Sequence, residues 1–301
     1  MAQPLIVGEP RIVGEPLILS EPRIVSEPLI VSEPLIVGEP LPLAEDVREL
    51  LCAVTTATLS TVLLKKGLRS VWLRGTRPIR AGQGRVAGRA FTLRFVPARE
   101  DLATPESWSS PISTRAAIEA MPPGCIAVVD AMGICDAGIF GDILCARMAH
   151  RAVAGLVSDG VVRDLSGVLA TGLPVWCQGT ASPPSVARLT FVAWQQTIAC
   201  GGVAVVPHDI IVADDDGAVL IPQAMLDAVV REATEQERLE AWIMREVEAG
   251  AALPGLYPPN AANKARYEES RARHETGGAP HEESEAGLGQ GRAALPEKPT
   301  R

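Results

Sequence analysis

The chain alternates between segments of helical and of strand-like hydrophobic spacing. Apolar residues at helical spacing predict helices over residues 45–66, 111–121, 141–151 and 225–249. Short apolar runs predict strands over residues 86–96, 125–130, 153–158 and 174–178. The first and last helices end at Gly67 and Gly250, and glycine often follows a helix. The helix over residues 111–121 begins with Pro111, and Ser110 is predicted as its N-cap. Helices that alternate with strands imply βαβ units and a mostly parallel sheet.

A hairpin is predicted near the end of this region. Residues 209–222 contain two apolar runs on either side of an Asp-Gly pair. Asp-Gly readily adopts the tight turns that join antiparallel strands, so this arrangement is a strong hairpin signal. Together the predicted elements form one α/β domain over residues 43–257.

The two ends of the chain have compositions that do not predict a packed core. Residues 4–39 repeat a hexad with proline at every sixth position, which excludes a helix and interrupts a strand ladder. A hexapeptide β-helix is the alternative, although six hexads would give only about two coils for stacking. The simpler interpretation of residues 1–42 is an extended, disordered leader, and we expect a disordered polar tail over residues 258–301.

The composition is that of a globular domain and excludes several classes of function. The chain has 301 residues, 47% of them hydrophobic, with a net charge of −8 and a pI near 5.2. This charge provides no general attraction to nucleic acid or anionic lipid. No run approaches the roughly 20 apolar residues of a membrane span, and six scattered cysteines without a C-x-x-C pair indicate reduced thiols. We therefore expect a cytoplasmic protein that binds neither nucleic acid nor membrane.

Two loops that follow predicted parallel strands carry polar residues. One follows residues 125–130 and leads into a helix at Asp142, and the other follows residues 153–158 and contains Arg163 and Asp164. The carboxyl ends of parallel strands open on the same edge of a sheet, so these side chains can converge. Carboxylate oxygens suit Mg²⁺ or Mn²⁺, and a planar guanidinium suits the carboxylate of a substrate.

Each of these residues also has a purely structural interpretation. Arg163 and Asp164 could form an ion pair at a turn, and such pairs resemble active sites. Asp142 could be only a first-turn carboxylate that stabilises the helix dipole. The spacing alone leaves both alternatives open.

Two motifs cover these loops. They are Gly141-Asp142-Ile143-Leu144 and Asp159-Gly160-Val161-Val162-Arg163-Asp164. With shorter matches at residues 88–92 and 206–222, they resemble the signature of the RraA-like proteins, the family of the regulator of RNase E activity and of 4-hydroxy-4-methyl-2-oxoglutarate aldolases. The resemblance implies an α/β/α layered fold of the swivelling-domain type, assembled as homotrimers or hexamers with sites between subunits.

The resemblance also implies a reaction and a role for each residue. The reaction is a divalent-metal-dependent cleavage, as by a class II aldolase or an oxaloacetate decarboxylase, that releases pyruvate from a 2-oxo acid. Asp164 would bind Mg²⁺ or Mn²⁺, Arg163 would hold the substrate, and Asp142 would act as the base through water. The substrate-binding residues would be Gly138, Gly141, Asp142, Ile143, Leu144 and Arg163. Glu240 or Glu237 of a neighbouring subunit would add a metal ligand, with a solvated helix charge as the alternative.

The lysine content favours the metal route independently of the resemblance. Cleavage next to a 2-oxo acid produces an enolate, which an enzyme stabilises with a lysine Schiff base or with a metal. The lysines are Lys65, Lys66, Lys264 and Lys298, and none lies in a predicted site loop.

Gly167 departs from the aldolase pattern, which has an acidic residue at this position after Arg-Asp. Two other functions therefore stay open. One is a non-catalytic regulator that binds a ribonuclease or helicase, for which an acidic surface suits a basic partner. The other is a lyase for another 2-oxo acid derived from a sugar acid. The presence of Asp142, Arg163 and Asp164 favours catalysis.

Overall fold

The computed structural model describes residues 42–102 and 104–276. Its helices are α1 (Glu45–Ala53), α2 (Thr56–Lys65), α3 (Thr114–Ala120), α4 (Asp142–His150), α5 (Leu165–Ala170), α6 (Leu226–Glu248) and α7 (Ala261–Thr276). Its strands are β1 (Trp72–Leu73), β2 (Arg77–Pro78), β3 (Val86–Pro97), β4 (Ile126–Asp130), β5 (Gly155–Ser158), β6 (Val175–Cys177), β7 (Leu189–Trp194), β8 (Ile198–Cys200), β9 (Val203–Val205), β10 (Ile210–Asp214) and β11 (Gly217–Ile221).

A mixed sheet forms the centre of the domain. Its strands pair in the order β1-β11-β10-β3-β4-β5-β6-β2, and β7 also pairs with β3. The pairs among β3, β4, β5 and β6 are parallel, whereas the other pairs are antiparallel. The predicted α/β class and the hairpin, now β10 and β11, are confirmed. The expectation of a mostly parallel sheet is wrong outside its centre, because this hairpin pairs with β3 in the antiparallel sense.

The two faces of the sheet are covered differently. Helices α3, α4 and α5 contribute Ile118, Met148 and Val168 to a core against the parallel strands. Helices α1, α2 and α6 pack against β10 and β11. Alternate strand residues such as Val128 and Val157 point away from these cores and pack with the β8–β9 hairpin. The second outer layer is therefore a β-hairpin, where the resemblance implied helices.

Two predicted helices differ from the observed ones, one by a break and the other by its N-cap. Residues 45–66 form α1 and α2, bent by 98°, because Thr55 is extended and its side chain accepts the Thr58 N–H at 3.1 Å. Helix α3 begins at Thr114, where the Ser113 hydroxyl accepts the Ala116 N–H at 3.2 Å. The prediction of Ser110 as its N-cap is therefore wrong.

The predicted C-terminal tail is wrong over residues 261–276, which form α7. Tyr267 of this helix packs against Trp242 of α6, with ring centroids 5.8 Å apart, and its hydroxyl donates to Glu235 at 3.0 Å. One aromatic contact thus anchors a helix whose sequence is mostly polar. The leader over residues 1–41 and the remainder of the tail, residues 277–301, lie outside the described residues.

Within the described ranges, no single helix has the length and apolar content to cross a membrane. Helices α1 and α2 reach that length and composition only when counted together, as a bent pair.

Candidate functional site

The two loops singled out in the sequence lie side by side at the carboxyl ends of β4 and β5. Backbone hydrogen bonds join them, from the Ile139 N–H to the Val161 carbonyl at 2.9 Å and from the Arg163 N–H to the Phe140 carbonyl at 3.0 Å. The first loop leads into α4 at Asp142, and the second leads into α5 after Asp164. The polar residues of both loops are thus brought to one edge of the sheet, as the topology of parallel strands requires.

Three glycines allow this close approach. A Cβ atom at Gly138 would lie 2.7 Å from Cβ of Arg163, and one at Gly141 would lie 2.6 Å from Oδ2 of Asp164. A Cβ atom at Gly167 would lie 2.6 Å from Cβ of Asp142. Backbone atoms leave no room for a side chain at position 138, where the Arg163 backbone nitrogen would lie 2.8 Å from a Cβ atom. At positions 141 and 167, a side chain would instead require Asp164 or Asp142 to move.

Arg163 and Asp164 form an ion pair that solvent reaches. The Arg163 Nε donates to Oδ2 of Asp164 at 3.0 Å, and the two side chains are 36% and 46% exposed. Asp164 occupies the left-handed region (φ 55°, ψ 49°) at the N-cap of α5, yet its carboxylate makes no capping hydrogen bond. Asp tolerates this conformation better than most residues. Its carboxylate is thus presented away from the helix backbone that it precedes.

Asp142 opens α4 beside this pair. Its Oδ1 accepts the N–H of Ile143 at 2.7 Å. Its Oδ2 is the atom that a side chain at Gly167 would approach, at 2.7 Å. One carboxylate oxygen is therefore held by the helix N-terminus, while the other faces the small residue of α5.

These residues line one cavity of about 360 Å³. Every residue predicted to bind substrate lines it, and so does the predicted metal ligand: Gly138, Gly141, Asp142, Ile143, Leu144, Arg163 and Asp164. The rest of the lining is largely apolar and includes Phe95, Leu102, Trp108, Ile112, Leu189 and Phe191. Sequence analysis assigned none of these apolar residues to the site, because they come from β3, β7 and irregular segments with no motif.

Comparison with known proteins identifies the family. Residues 56–220 match the family model described as RraA-like, Aldolase/RraA. The chain belongs to the RraA-like family.

Two relatives show the range of descriptions within the RraA-like family. A protein of Halalkalibacterium halodurans named "Putative 4-hydroxy-4-methyl-2-oxoglutarate aldolase" is 34% identical over 116 residues, which are 38% of this chain. The chain thus spans 54% of the length of that relative. RraAS2 of Streptomyces coelicolor, described as an unusual member of the RNase ES inhibitor RraA protein family, is 35% identical. Its crystal structure superposes with a TM-score of 0.60 over 66% of this chain and 96% of that chain.

A third RraA-like match comes from Pseudomonas syringae pv. tomato and is an uncharacterized protein. Its crystal structure is 26% identical, with a TM-score of 0.62 over 72% of this chain and the whole of that chain. The RraA-type fold is therefore confirmed, although these relatives carry different functional descriptions.

Two further aspartates lie at the same edge of this RraA-like sheet and are buried. Asp159 accepts the N–H groups of Ala131 at 2.7 Å and Gly201 at 3.2 Å. Asp130 accepts those of Met132 at 3.1 Å and Ala199 at 3.2 Å. Burial raises the pKa of the Asp159 carboxyl above its ordinary value, against the opposing effect of its backbone donors. Both aspartates join loops together and do not line the cavity.

Within one chain, Glu240 lies outside the cavity at which it is predicted to bind a metal. Its carboxylate accepts from Gln236 at 2.7 Å and from the Thr58 hydroxyl at 3.4 Å, and it does not line the cavity. Glu237 likewise contacts Thr55 at the start of α2. A metal-binding role for either residue needs a second subunit and stays a prediction.

The carboxylates of the cavity fit a magnesium-type ion and do not fit a closed metal centre. Among the described residues, no group of three or more His, Cys, Asp or Glu side chains is placed to enclose a metal. Mg²⁺ is commonly held by one or two carboxylates, with water and substrate as its other ligands. The Asp164 carboxylate makes no helix-capping hydrogen bond and lines the same cavity as Asp142. It is therefore suited to hold Mg²⁺ together with water and substrate.

Proposed function

We propose that the chain is a divalent-metal-dependent carbon–carbon lyase that releases pyruvate from a 2-oxo acid. The observation that carries the proposal is the meeting of Asp142, Arg163 and Asp164 in one cavity. A merely structural ion pair would not need glycines at positions 138 and 141 to bring it against a helix N-terminus. The name of the Halalkalibacterium halodurans relative supports the same reaction class.

Arg163 is the residue suited to bind the 2-oxo acid. Its Nε is engaged with Asp164, while its terminal nitrogens have no hydrogen-bond partner among the described residues. These two nitrogens can donate in parallel to a carboxylate, and their charge then lies close to the enolate oxygen that develops at C2. Arg163 thus orients the substrate and stabilises negative charge.

Asp142 is the residue suited to move the proton. The Oδ2 atom of Asp142 accepts the proton of the substrate's C4 hydroxyl group. The C3–C4 bond of the substrate then breaks, and the electron pair of that bond forms the enolate of pyruvate. The carbonyl product leaves, and the proton held by Asp142 passes to C3, which gives pyruvate and restores the Asp142 carboxylate. No oxidant or reductant is required. Asp164 would hold Mg²⁺ or Mn²⁺, which supplies Lewis-acid polarisation of the 2-oxo group.

The test is pyruvate release from 4-hydroxy-4-methyl-2-oxoglutarate and from oxaloacetate, with Mg²⁺ and with EDTA. We expect metal-dependent release that Arg163→Ala removes. Arg147→Ala is the matched control, because Arg147 is an exposed arginine that pairs with Glu119 outside the cavity. Release no faster than with metal alone, for both acids and for a wider panel of 2-oxo sugar acids, would overturn the proposal.

A regulator of ribonuclease activity is the second candidate. It is favoured by the 35% identity to RraAS2, which the chain covers over 96% of its length. An inhibitor acts through its surface, so its effect on a ribonuclease would persist in Arg163→Ala. Inhibition that persists in this variant, without pyruvate release by the wild type, would support this candidate over the lyase.

We further propose a homotrimer or hexamer in the cytoplasm. Ile143 lines the cavity and is 79% exposed, which leaves a large apolar side chain beside the site for a second copy to cover. Every cysteine is free, as suits a reducing compartment. Sedimentation of the wild type and of Ile143→Glu tests the assembly, and a monomeric wild type would contradict it.

A further inference from the structure

The cavity holds a second arginine that the proposed reaction does not use. Arg115 lies in the first turn of α3 and lines the cavity together with Arg163. A cation is not stabilised at the N-terminus of a helix, where the backbone dipoles present positive charge. Helix stability therefore does not explain arginine at this position.

Arg115 also has no anionic partner within the part of the chain that the structure describes. Among the side chains that the structure describes, no carboxylate forms an ion pair with it and no acceptor receives a hydrogen bond from it. Its one described interaction is with Trp108, whose ring centroid lies 5.2 Å from the guanidinium carbon. By contrast, the Arg163 guanidinium in the same cavity is paired with Asp164.

Stacking on a tryptophan ring prepares a guanidinium to bind an anion. The guanidinium carbon lies over the ring, in a cation–π interaction that uses none of its N–H donors. These donors match a carboxylate in a bidentate arrangement. Leu102 and Ile112 line the same cavity, which thus combines apolar surface with the two guanidinium groups.

We propose that Arg115, stacked on Trp108, binds a second carboxylate at the end of the substrate distant from the 2-oxo acid group. This inference rests on the proposed function, in which Arg163 binds the 2-oxo acid end. Both acids named in the test of that function carry a second carboxylate, and Arg115 is then the residue that selects for it. The cavity that holds the two arginines is also lined by Phe95, Leu189 and Phe191, and such apolar surface suits the short carbon chain of the substrate.

The test is calorimetric binding of 2-oxoglutarate and of 2-oxopentanoate in the presence of Mg²⁺. The two acids have equal chain length and differ in the distal carboxylate, and neither carries a 4-hydroxyl group to cleave. We expect the wild type to bind the diacid up to about 5-fold more tightly, the scale of an exposed charge pair. Arg115→Ala should remove this preference by weakening the diacid alone, and Arg115→Lys should keep part of it.

Two controls separate the role of Arg115 from a general defect. Trp108→Leu keeps the arginine and removes its stacking surface, so the preference should fall without vanishing. Arg147→Ala removes an exposed arginine outside the cavity and should leave the preference unchanged. A wild type that binds the acids equally or binds neither, or a preference that survives Arg115→Ala, would overturn the inference.

Failure of this inference can be told apart from failure of the proposed function. Pyruvate release with equal binding of the two acids would remove only the role of Arg115. An Arg115-dependent preference without pyruvate release from any 2-oxo acid would remove only the lyase.

Discussion

Two pairs of aspartates lie at the same edge of the sheet and differ in what surrounds them. Asp130 and Asp159 are 9% and 5% exposed, and each accepts two backbone N–H groups. Asp142 and Asp164 are more exposed and line the cavity. A carboxylate whose oxygens are all committed to backbone donors fastens loops, whereas one with an oxygen to spare can bind substrate or metal. The residue type and its position at a sheet edge therefore do not distinguish a structural aspartate from a catalytic one. The number of backbone N–H groups that its carboxylate accepts does distinguish them.

The largest expected effect is on catalysis by the exposed pair. Asp164→Ala should lower pyruvate release by about 100-fold or more, the scale of losing one charge-stabilising group at a reacting centre. Its unfolding free energy should change by less than about 1 kcal/mol, because a half-exposed ion pair contributes little. Glu119→Ala, which breaks an exposed ion pair outside the cavity, is the control. Equal activity in the two variants would show that Asp164 is a structural partner of Arg163.

The buried pair should show the opposite balance. Asp159→Ala leaves two inward N–H groups without acceptors, so the unfolding free energy should fall by about 2–4 kcal/mol. Chemical denaturation measures this loss. The matched control is Asp136→Ala, whose exposed carboxylate pairs with Arg188 and should change stability by about 0.5 kcal/mol or less. Full stability of Asp159→Ala would remove the distinction between the two pairs.

A subtler change should affect the site through its backbone. Gly141→Ala places a Cβ atom against Oδ2 of Asp164 and should move that carboxylate, for a loss of about 10-fold in pyruvate release. Gly141 has φ −107°, which alanine also adopts, so the melting temperature should stay close to that of the wild type. If activity and melting temperature fell together, the glycine would serve the fold and not the position of Asp164.

The smallest expected effect is the pH dependence of the buried pair. Burial raises the pKa of Asp159 above the value of about 3.9 in an unfolded chain, so the folded state binds this proton more tightly. Its contribution to stability is therefore complete below about pH 3.9 and is lost as the pH rises through the folded pKa. Denaturation of wild type and Asp159→Ala at about pH 4 and about pH 7 should show a larger difference at the lower pH. A difference that grows with pH would mean that the backbone donors outweigh burial.

The loops that carry Asp142, Arg163 and Asp164 could be placed from sequence because parallel strands impose their geometry. The strands are short apolar runs, and their carboxyl ends meet at one edge whatever the loop conformation. Trp108 and Arg115 could not be assigned to the cavity. Trp108 lies in a segment without regular apolar spacing, and although Arg115 lies in a predicted helix, only tertiary packing brings the start of that helix to the cavity. Strands β8 and β9, with three residues each, are too short to show a period.

Helix α7 escaped prediction for a different physical reason. Its sequence has little apolar content, and the contact of Tyr267 with Trp242 links residues far apart in the chain. The break between α1 and α2 likewise depends on Thr55 acting as an internal cap within a continuous apolar pattern. Sequence periodicity identifies the buried face of a segment, but not the points at which side chains interrupt it.

The glycines at positions 138, 141 and 167 divide the cavity into a part that cannot be redesigned and a part that can. Any side chain at these positions would displace Asp142, Arg163 or Asp164, so substitutions there would disturb the catalytic groups before they altered substrate choice. Leu102, Trp108 and Ile112 are at least 40% exposed and contribute no group to the reaction. New substrates, in evolution or in the laboratory, should therefore be gained by substitutions at these three positions while the glycines stay unchanged.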